Sequence, residues 1–378
     1  MAVTNDMSAD RRVLRHARTL QEAGHDVVVV CKEREGEKCY VDGIETVRIR
    51  VRHKRGWRFY AEYNVALWKK MRKLDADVLW ANDTDTLPGC WLAARGRRLV
   101  MDVHEIFPEL PEIIDKPVVR LVWATIERVL MGRCDAMLTV NKSLAGYYKR
   151  KLGVDVKVVR NEPDDVMYRS FARQAGEAHQ KQPMLLYQGC VNVGRGVDWA
   201  IDALEWLPEC ILVVAGRGDL LEEMKDYAAT KPWAGRVRFL GHVPPEELPA
   251  LTKQASVGLV MLEDMGLSYH YALPNRVGDF VAAGVPMVVS DLPEMADVVR
   301  RFGVGEVIEG VSAGKPSTIV KGERIKVKGE RREARALAEA VRKVLAREWH
   351  EEDFAAARED MDWNKEKEKL LGVLECAT

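Results

Sequence analysis

The stretch "YALPNRVGDFVAAGVPMVVSD", residues 271–291, says more about the fold than any other part of the chain. It runs from a polar turn, Pro274-Asn275-Arg276, into a short apolar helix and then into a strand that is apolar along its length. A strand without polar alternation is one buried on both faces, as in a parallel sheet covered by helices. One acid, Asp279, stands near the start of the helix among apolar neighbours. A helix-start carboxylate gains only about 0.3–1 kcal/mol from the helix dipole, so its presence raises the question of a ligand.

The same pattern continues on either side. In the C-terminal half, "MLLYQG" (184–189), "CILVVAGRGD" (210–219), "VRFLGHV" (237–243) and "VGLVML" (257–262) alternate with amphipathic helical segments. In the N-terminal half, "DVVVVC" (26–31), "DVLWAND" (77–83), "RLVMDVHE" (98–105), "AMLTVN" (136–141) and "VKVVRNEPD" (156–164) do the same. Strand–helix–strand repetition predicts an α/β protein of two doubly wound parallel sheets. A length of 378 residues also favours two cores over one. The expected division is an N-terminal domain over 1–167, a polar linker over 168–183, a C-terminal domain over 184–350, and a terminal helix over 351–378 that returns to the N-terminal domain. The basic, sparsely apolar 311–335 predicts a hairpin or loose insertion. Several strands end in polar residues (Asn82-Asp83, His104-Glu105, Asn141, Asn161), where an open parallel sheet places its ligand crevice.

Lys plus Arg equals Asp plus Glu at 58 each, which argues against a nucleic-acid partner. Seven cysteines, an odd number without metal-ligand spacing, predict reduced thiols in a cytoplasmic protein. The opening "MAVTND" does not read as a signal peptide, and the apolar run 117–132 is broken by Arg120, Glu127 and Arg128. Residues 50–73 interleave cations with Trp57, Phe59, Tyr60 and Trp68. That segment suits peripheral contact with an anionic membrane or a lipid-diphosphate acceptor. It equally suits a solvated helix whose aromatics pack inward.

Two glycine turns stand out. "AGRGD" (215–219) offers Gly216 and Gly218 after a strand, but Leu221 takes the third position of the dinucleotide fingerprint, and the first turn, "NDMSAD", has no glycine. A dehydrogenase is therefore a distant reading. "YQGCVNVGRGVDWAIDAL" (187–204) ends a strand at Gly189 and places Gly194, Arg195 and Gly196 just before a helix. A guanidinium beside a helix N-terminus suits a diphosphate, because its planar fork can hold two oxygens. The alternative for both is a plain tight turn.

Together these stretches, with "DRRVLRHARTLQEAGHDVVVV", "ANDTDTLP", "MDVHEIFPE" and "VRFLGHVPPEEL", resemble the family-4 glycosyltransferases of GT-B architecture over about residues 5–305. The resemblance implies two facing Rossmann-like domains, with a nucleotide-diphosphate sugar held mainly by the C-terminal one. It implies transfer with retention, without a metal or other cofactor, with a UDP-sugar favoured over a GDP-sugar. The acceptor would be a glycan or lipid-linked. Asp279 matches the second acid of the family's acidic pair, the ribose ligand; Tyr271 stands where the first would be. Cys190 occupies the family's Arg position in the diphosphate loop and Arg195 its Lys position, which leaves Arg217 as the candidate second cation. His104, Glu105 and Arg195 are the implied catalytic residues. Gly189, Gly194, Gly216, Arg217, His242, Tyr271, Asn275 and Asp279 are implied for the donor, and Asp10, Asp83 and Asn161 for the acceptor side. The alternatives within this architecture are a sugar-nucleotide epimerase and a non-catalytic sugar-nucleotide-binding or scaffold protein.

Overall fold

The structure, a computed structural model, describes residues 1–7, 10–33, 43–163, 182–308, 319–320, 323–324 and 330–375. The expected linker at 168–183 lies outside them but for its last two residues. The chain forms two compact units. The first comprises Met1–Glu109, Ile113–Asn161 and Asn364–Thr378; the second comprises Leu110–Glu112 and Glu162–Trp363.

In the first unit the strands are β1 (Ala2–Val3), β2 (Val28–Lys32), β3 (Glu45–Ile49), β4 (Val78–Asn82), β5 (Arg98–Val103), β6 (Ala136–Thr139) and β7 (Lys157–Val158). Between them run α1 (Arg11–Glu22), α2 (Gly56–Met71), α3 (Leu87–Ala94), α4 (Pro117–Leu130) and α5 (Lys142–Leu152). The sheet order is β3-β2-β1-β4-β5-β6-β7, with every pairing parallel. The chain starts in the middle and winds outward in both directions, which is the doubly wound arrangement. The strand order reverses between β1 and β4, and the ends of β4 and β5 lie beside that switch point.

The second unit repeats the plan. Its strands are β8 (Met184–Gln188), β9 (Ile211–Ala215), β10 (Val237–Gly241), β11 (Val257–Val260), β12 (Met287–Ser290) and β13 (Gly305–Ile308). The order is β10-β9-β8-β11-β12-β13, again all parallel. Its helices are α6 (Val197–Ala203), α7 (Leu221–Ala229), α8 (Leu248–Lys253), α9 (Leu267–His270), α10 (Asn275–Ala283), α11 (Pro293–Phe302), α12 (Glu330–Ala346) and α13 (Ala355–Asp360). A two-residue antiparallel ladder, Ile319–Val320 with Glu323–Arg324, lies in the basic segment where a hairpin is expected. Side chains of β8 alternate between two cores. Met184 and Leu186 join one, and Leu185 and Tyr187 the other. That is why the strand reads as apolar throughout.

The last helix, α14 (Trp363–Glu375), belongs mostly to the first unit. Arg98 donates to the main-chain carbonyls of Val373 and Leu374, two of the acceptors a helix C-terminus leaves unused. The buried Glu366 accepts from the Arg160 main-chain N–H at 2.9 Å and from its Nε at 3.1 Å.

Helix α10 shows how the quoted stretch folds. Pro274 supplies an extended residue ahead of the first turn (ψ 140°), and Gly284 closes the helix in the left-handed conformation (φ 69°). Phe280 is fully buried over Gly258 of β11, where a Cβ would stand 2.6 Å from its ring. The strand glycine makes room for the ring, so the two positions fit only as a pair. Phe280→Ala empties that space and is expected to lower the unfolding free energy of the second unit by about 3–5 kcal/mol, read from urea unfolding.

Candidate functional site

The two glycine turns of the second unit meet at the carboxyl ends of neighbouring strands. Gly189 N–H donates to Ala215 O at 2.9 Å, Val191 N–H to Arg217 O at 2.9 Å, and Leu220 N–H to Val191 O at 3.0 Å. Asn192 Oδ1 accepts from Asp219 N–H at 3.0 Å. Gly216 has φ 157°, and a Cβ there would lie 1.8 Å from Gly189 O, so no side chain fits. Gly218 is excluded from larger residues in the same way by Val191 O, at 2.2 Å. Gly194, at φ 72°, lies against the Met265 side chain. Sequence spacing treats the two turns separately; the structure packs them into one element.

Gln188, the last residue of β8, anchors this element, and the sequence reading missed it. Its Nε2 donates to Asp279 Oδ2 at 3.1 Å, and its Oε1 accepts from Thr252 Oγ1 at 2.9 Å. Its main-chain carbonyl accepts from Arg276 Nη1 at 2.9 Å. The Arg276 guanidinium lies 4.7 Å from the Tyr187 ring centroid, and Nη1 sits 3.0 Å from where a Gly189 Cβ would be. Every polar group of the Gln188 side chain is thus fixed directly beneath the first turn. Asp279 is 2% exposed. The acid expected to hold the donor's pentose is thus folded inward and engaged by Gln188.

Arg195 stands at the head of the joined turns, 4.7 Å from the Tyr269 ring centroid, and Tyr269 in turn donates to Val193 O at 3.3 Å. The planar cation is thus stacked on an aromatic face, which orients its fork. Arg217, Asn275, His242 and Cys190 are exposed. Tyr271 is half-buried at the end of α9, edge-on to His270, whose Nδ1 lies 3.0 Å from Asp264.

The candidates of the first unit gather at the carboxyl ends of β4 and β5. Asp102, wholly buried in β5, receives both Nε (2.9 Å) and Nη2 (2.7 Å) of Arg12. His104 lies between two acids, with Nδ1 3.0 Å from Asp83 and Nε2 3.3 Å from Asp102. Asp83 adopts φ 63° and also accepts from the His104 main-chain N–H at 2.8 Å. Burial opposes charge on His104, but Asp83 and Asp102 outweigh it and hold the ring well above the ordinary histidine range. Burial opposes charge on Asp102 too, yet Arg12 and His104 keep it well below the carboxylate range. Both ring nitrogens of His104 are thus turned to carboxylates, an arrangement that favours its charged form.

Two acceptor-side candidates have structural duties. Asp10 is the N-cap of α1, accepting from Val13 N–H at 3.1 Å, and Asn161 accepts from Arg15 at 2.8 Å. Glu105 is half-buried, and its carbonyl accepts from Tyr148 at 3.2 Å. Asp85 is buried and turned toward Thr4 at 2.6 Å, and burial lifts its pKa to about 8, so the acids of "NDTDT" diverge. Most aromatics of 50–73 pack inward: Phe59 and Tyr63 are buried, and Tyr60 meets Trp123 edge-on at 5.0 Å. Trp57 alone is widely exposed, at 74%. The inward packing of the others is the second of the two readings given for this segment, while Trp57 stands among the exposed Arg52, Lys54, Arg55 and Arg58.

Arg12, His16 and Asp102 carried a signal that sequence reading passed over: a cation and a histidine one turn apart on the buried face of α1, and an acid inside the strand "RLVMDV". Burial, then the Arg12 charge, pushes His16 down to about 4. The two histidines thus oppose each other in pH. The raised His104 contributes stability that is complete below about pH 6.5 and is lost as pH rises through its elevated value. The depressed His16 contributes stability present above 6.5 and lost progressively as pH falls toward 4. NMR titration of the imidazoles is expected to show His104 charged and His16 neutral at pH 7.5, with Asp83→Asn lowering the His104 midpoint.

Comparison with known proteins agrees with this geometry. The family model described as Glycosyltransferase Family 4 matches residues 9–161, and that described as Glycosyl transferases group 1 matches residues 182–347. Glycogen synthase of Mycobacterium tuberculosis (strain CDC 1551 / Oshkosh) is 28% identical over 182 residues, covering 46% of this chain. The match spans 42% of that enzyme's length. Among solved structures, a sucrose-phosphate synthase from Thermosynechococcus elongatus is similar with a TM-score of 0.73 at 15% identity, over 97% of this chain and 93% of that one. HepE of Anabaena, in complex with UDP-glucose, gives 0.69 at 14% identity, over 99% and 98%. At these identities the structural likeness speaks for the fold, two Rossmann-like domains of GT-B type. With one glycosyltransferase model over the first half and another over the second, the chain belongs to the family-4 type of glycosyltransferases.

Proposed function

We propose that this glycosyltransferase moves a sugar, with retention and without a metal, from a nucleoside-diphosphate sugar to a glycan or lipid-linked acceptor. Its product is a surface polysaccharide or another glycoconjugate, made at the cytoplasmic face of a membrane. The observation that carries the reading is the pair of interlocked glycine turns headed by the stacked Arg195. Turns that admit no side chain let main-chain N–H groups approach a diphosphate closely, and a guanidinium completes the cradle. That a structural neighbour is in complex with UDP-glucose supports a UDP-sugar over a GDP-sugar.

In this mechanism the departing diphosphate takes the acceptor's proton on the same face of the sugar. Arg195 stabilises the charge that grows on it, an interaction strongest in the transition state. Arg217 supplies the second cation that Cys190 does not. His104, held toward its charged form by Asp83 and Asp102, adds positive charge at the strand ends and does not act as a base. Asp279 and Arg276 are positioning residues, acting through Gln188 on the first turn.

A thermal-shift screen with UDP, GDP, ADP and their sugars tests this, because a bound ligand raises the melting temperature by mass action. UDP or a UDP-sugar is expected to give the largest shift. Arg195→Ala is expected to weaken that ligand by about 10- to 100-fold, the worth of charge-assisted hydrogen bonds. Asp279→Asn is expected to weaken it less. Slow hydrolysis of the preferred donor distinguishes a transferase from a binding protein. Wild-type shifts in Arg195→Ala would sink the placement of the diphosphate.

A further inference from the structure

Helix α4 is amphipathic the wrong way round. Its buried face holds Trp123 and Glu127, and Glu127 takes Lys151 at 2.7 Å and Tyr148 at 3.2 Å. Its outward face carries Val118, Leu121, Val122, Thr125 and Val129, the i, i+3, i+4, i+7, i+11 spacing of a single stripe. Val118 is 74% exposed, Leu121 67%, Val122 52% and Val129 43%. One exposed aliphatic is ordinary, but four in line on one helix form a patch that calls for a partner. Leu92 on the adjacent α3, 49% exposed, extends it.

The rim of this patch is basic. Lys116, just ahead of α4, and Arg128 on it are exposed. One turn beyond Val129, Arg133 lies 5.6 Å from the Trp91 ring centroid. Beside it opens a groove of about 630 Å³ lined by Trp91, Leu92, Arg95 and Arg133, with Arg97, Arg98 and Asp135 deeper in. Arg97 and Arg98 are spent on carbonyls of Ala93 and Leu374, and Asp135 accepts from Leu99 N–H at 2.7 Å. Arg95 and Arg133 are exposed. The acids that precede the stripe in the chain are Glu109, which pairs with Arg120 at 2.6 Å, and the exposed Glu112 and Asp115.

We propose that this face of the first unit docks on an anionic lipid bilayer. The aliphatic stripe enters the interfacial region, and Arg128, Arg133 and Arg95 meet acidic headgroups. An apolar strip flanked by arginines matches such a surface in both respects. A second copy of the chain matches poorly, because a two-fold contact would set the basic rim against itself. The inference is independent of the transfer reaction: vesicle binding is read without any sugar donor, and its failure leaves the nucleotide screen untouched.

The test is co-sedimentation of the full chain with vesicles of phosphatidylcholine, alone and mixed with phosphatidylglycerol. Binding is expected to the mixed vesicles and to weaken in high salt. The double variant Leu121→Asp, Val122→Asp, with its circular dichroism and melting unchanged, is expected to lose affinity by about tenfold or more. Removing Arg128 or Arg133 is expected to cost on the order of fivefold each. The proposal is overturned if neither vesicle binds the chain, or if the double variant binds as wild type. It is also overturned if sedimentation velocity shows a dimer that the double variant dissolves while vesicles stay unbound.

Discussion

A side chain at position 216 would put its first carbon inside the Gly189 carbonyl, and that exclusion governs the second unit. Two loops from adjacent parallel strands can cross at such range only if neither carries a side chain at the crossing. Once they do, main-chain hydrogen bonds lock them, and the surface they present is made of peptide groups. Such a surface is already in place before a ligand arrives, so little ordering is needed on binding. The layer beneath keeps it there: Gln188 is gripped by Asp279, Thr252 and Arg276, and Arg276 lies on Tyr187. A buried amide with both ends satisfied holds its geometry, because leaving either end unpaired in the interior is costly.

The first unit solves a different problem. Asp102 in a fully covered strand is tolerable only because Arg12 meets it with two hydrogen bonds and His104 adds a second cation. Arg12 also reaches the Val159 carbonyl at 2.8 Å, so one guanidinium ties α1, β5 and the segment after β7 together. The same charges favour the protonated form of His104. Structural cohesion and the electrostatics at the strand ends come from one network.

Much of the fold was legible. Unbroken apolar strands between amphipathic helices are what a parallel sheet covered on both sides requires, and both sheets followed from that pattern. The glycine turns were also legible, since Gly216 and Gly218 follow a strand and Arg195 precedes a helix. Their interlocking was not, because it depends on which strands are neighbours, and sequence order does not give that. Asp279 was noticed for its odd surroundings, but the direction it faces depends on Gln188, 91 residues away. The aromatics of 50–73 looked like a surface motif, yet their four-residue spacing on α2 turns Phe59 and Tyr63 inward. The apolar run 117–132 was weighed only as a membrane span; its exposed stripe appears once the helix is seated on Trp123.

The return of α14 to the first unit makes the second an insertion in topological terms: residues 162–363 leave from, and come back to, the same body. A single cut within that span would not release an intact first unit, since Arg98 and Arg160 hold a helix that follows the span in the chain. During synthesis, β5 and the segment after β7 must wait for some two hundred residues before their last partner emerges. Of the two units, the one begun earlier is therefore completed later.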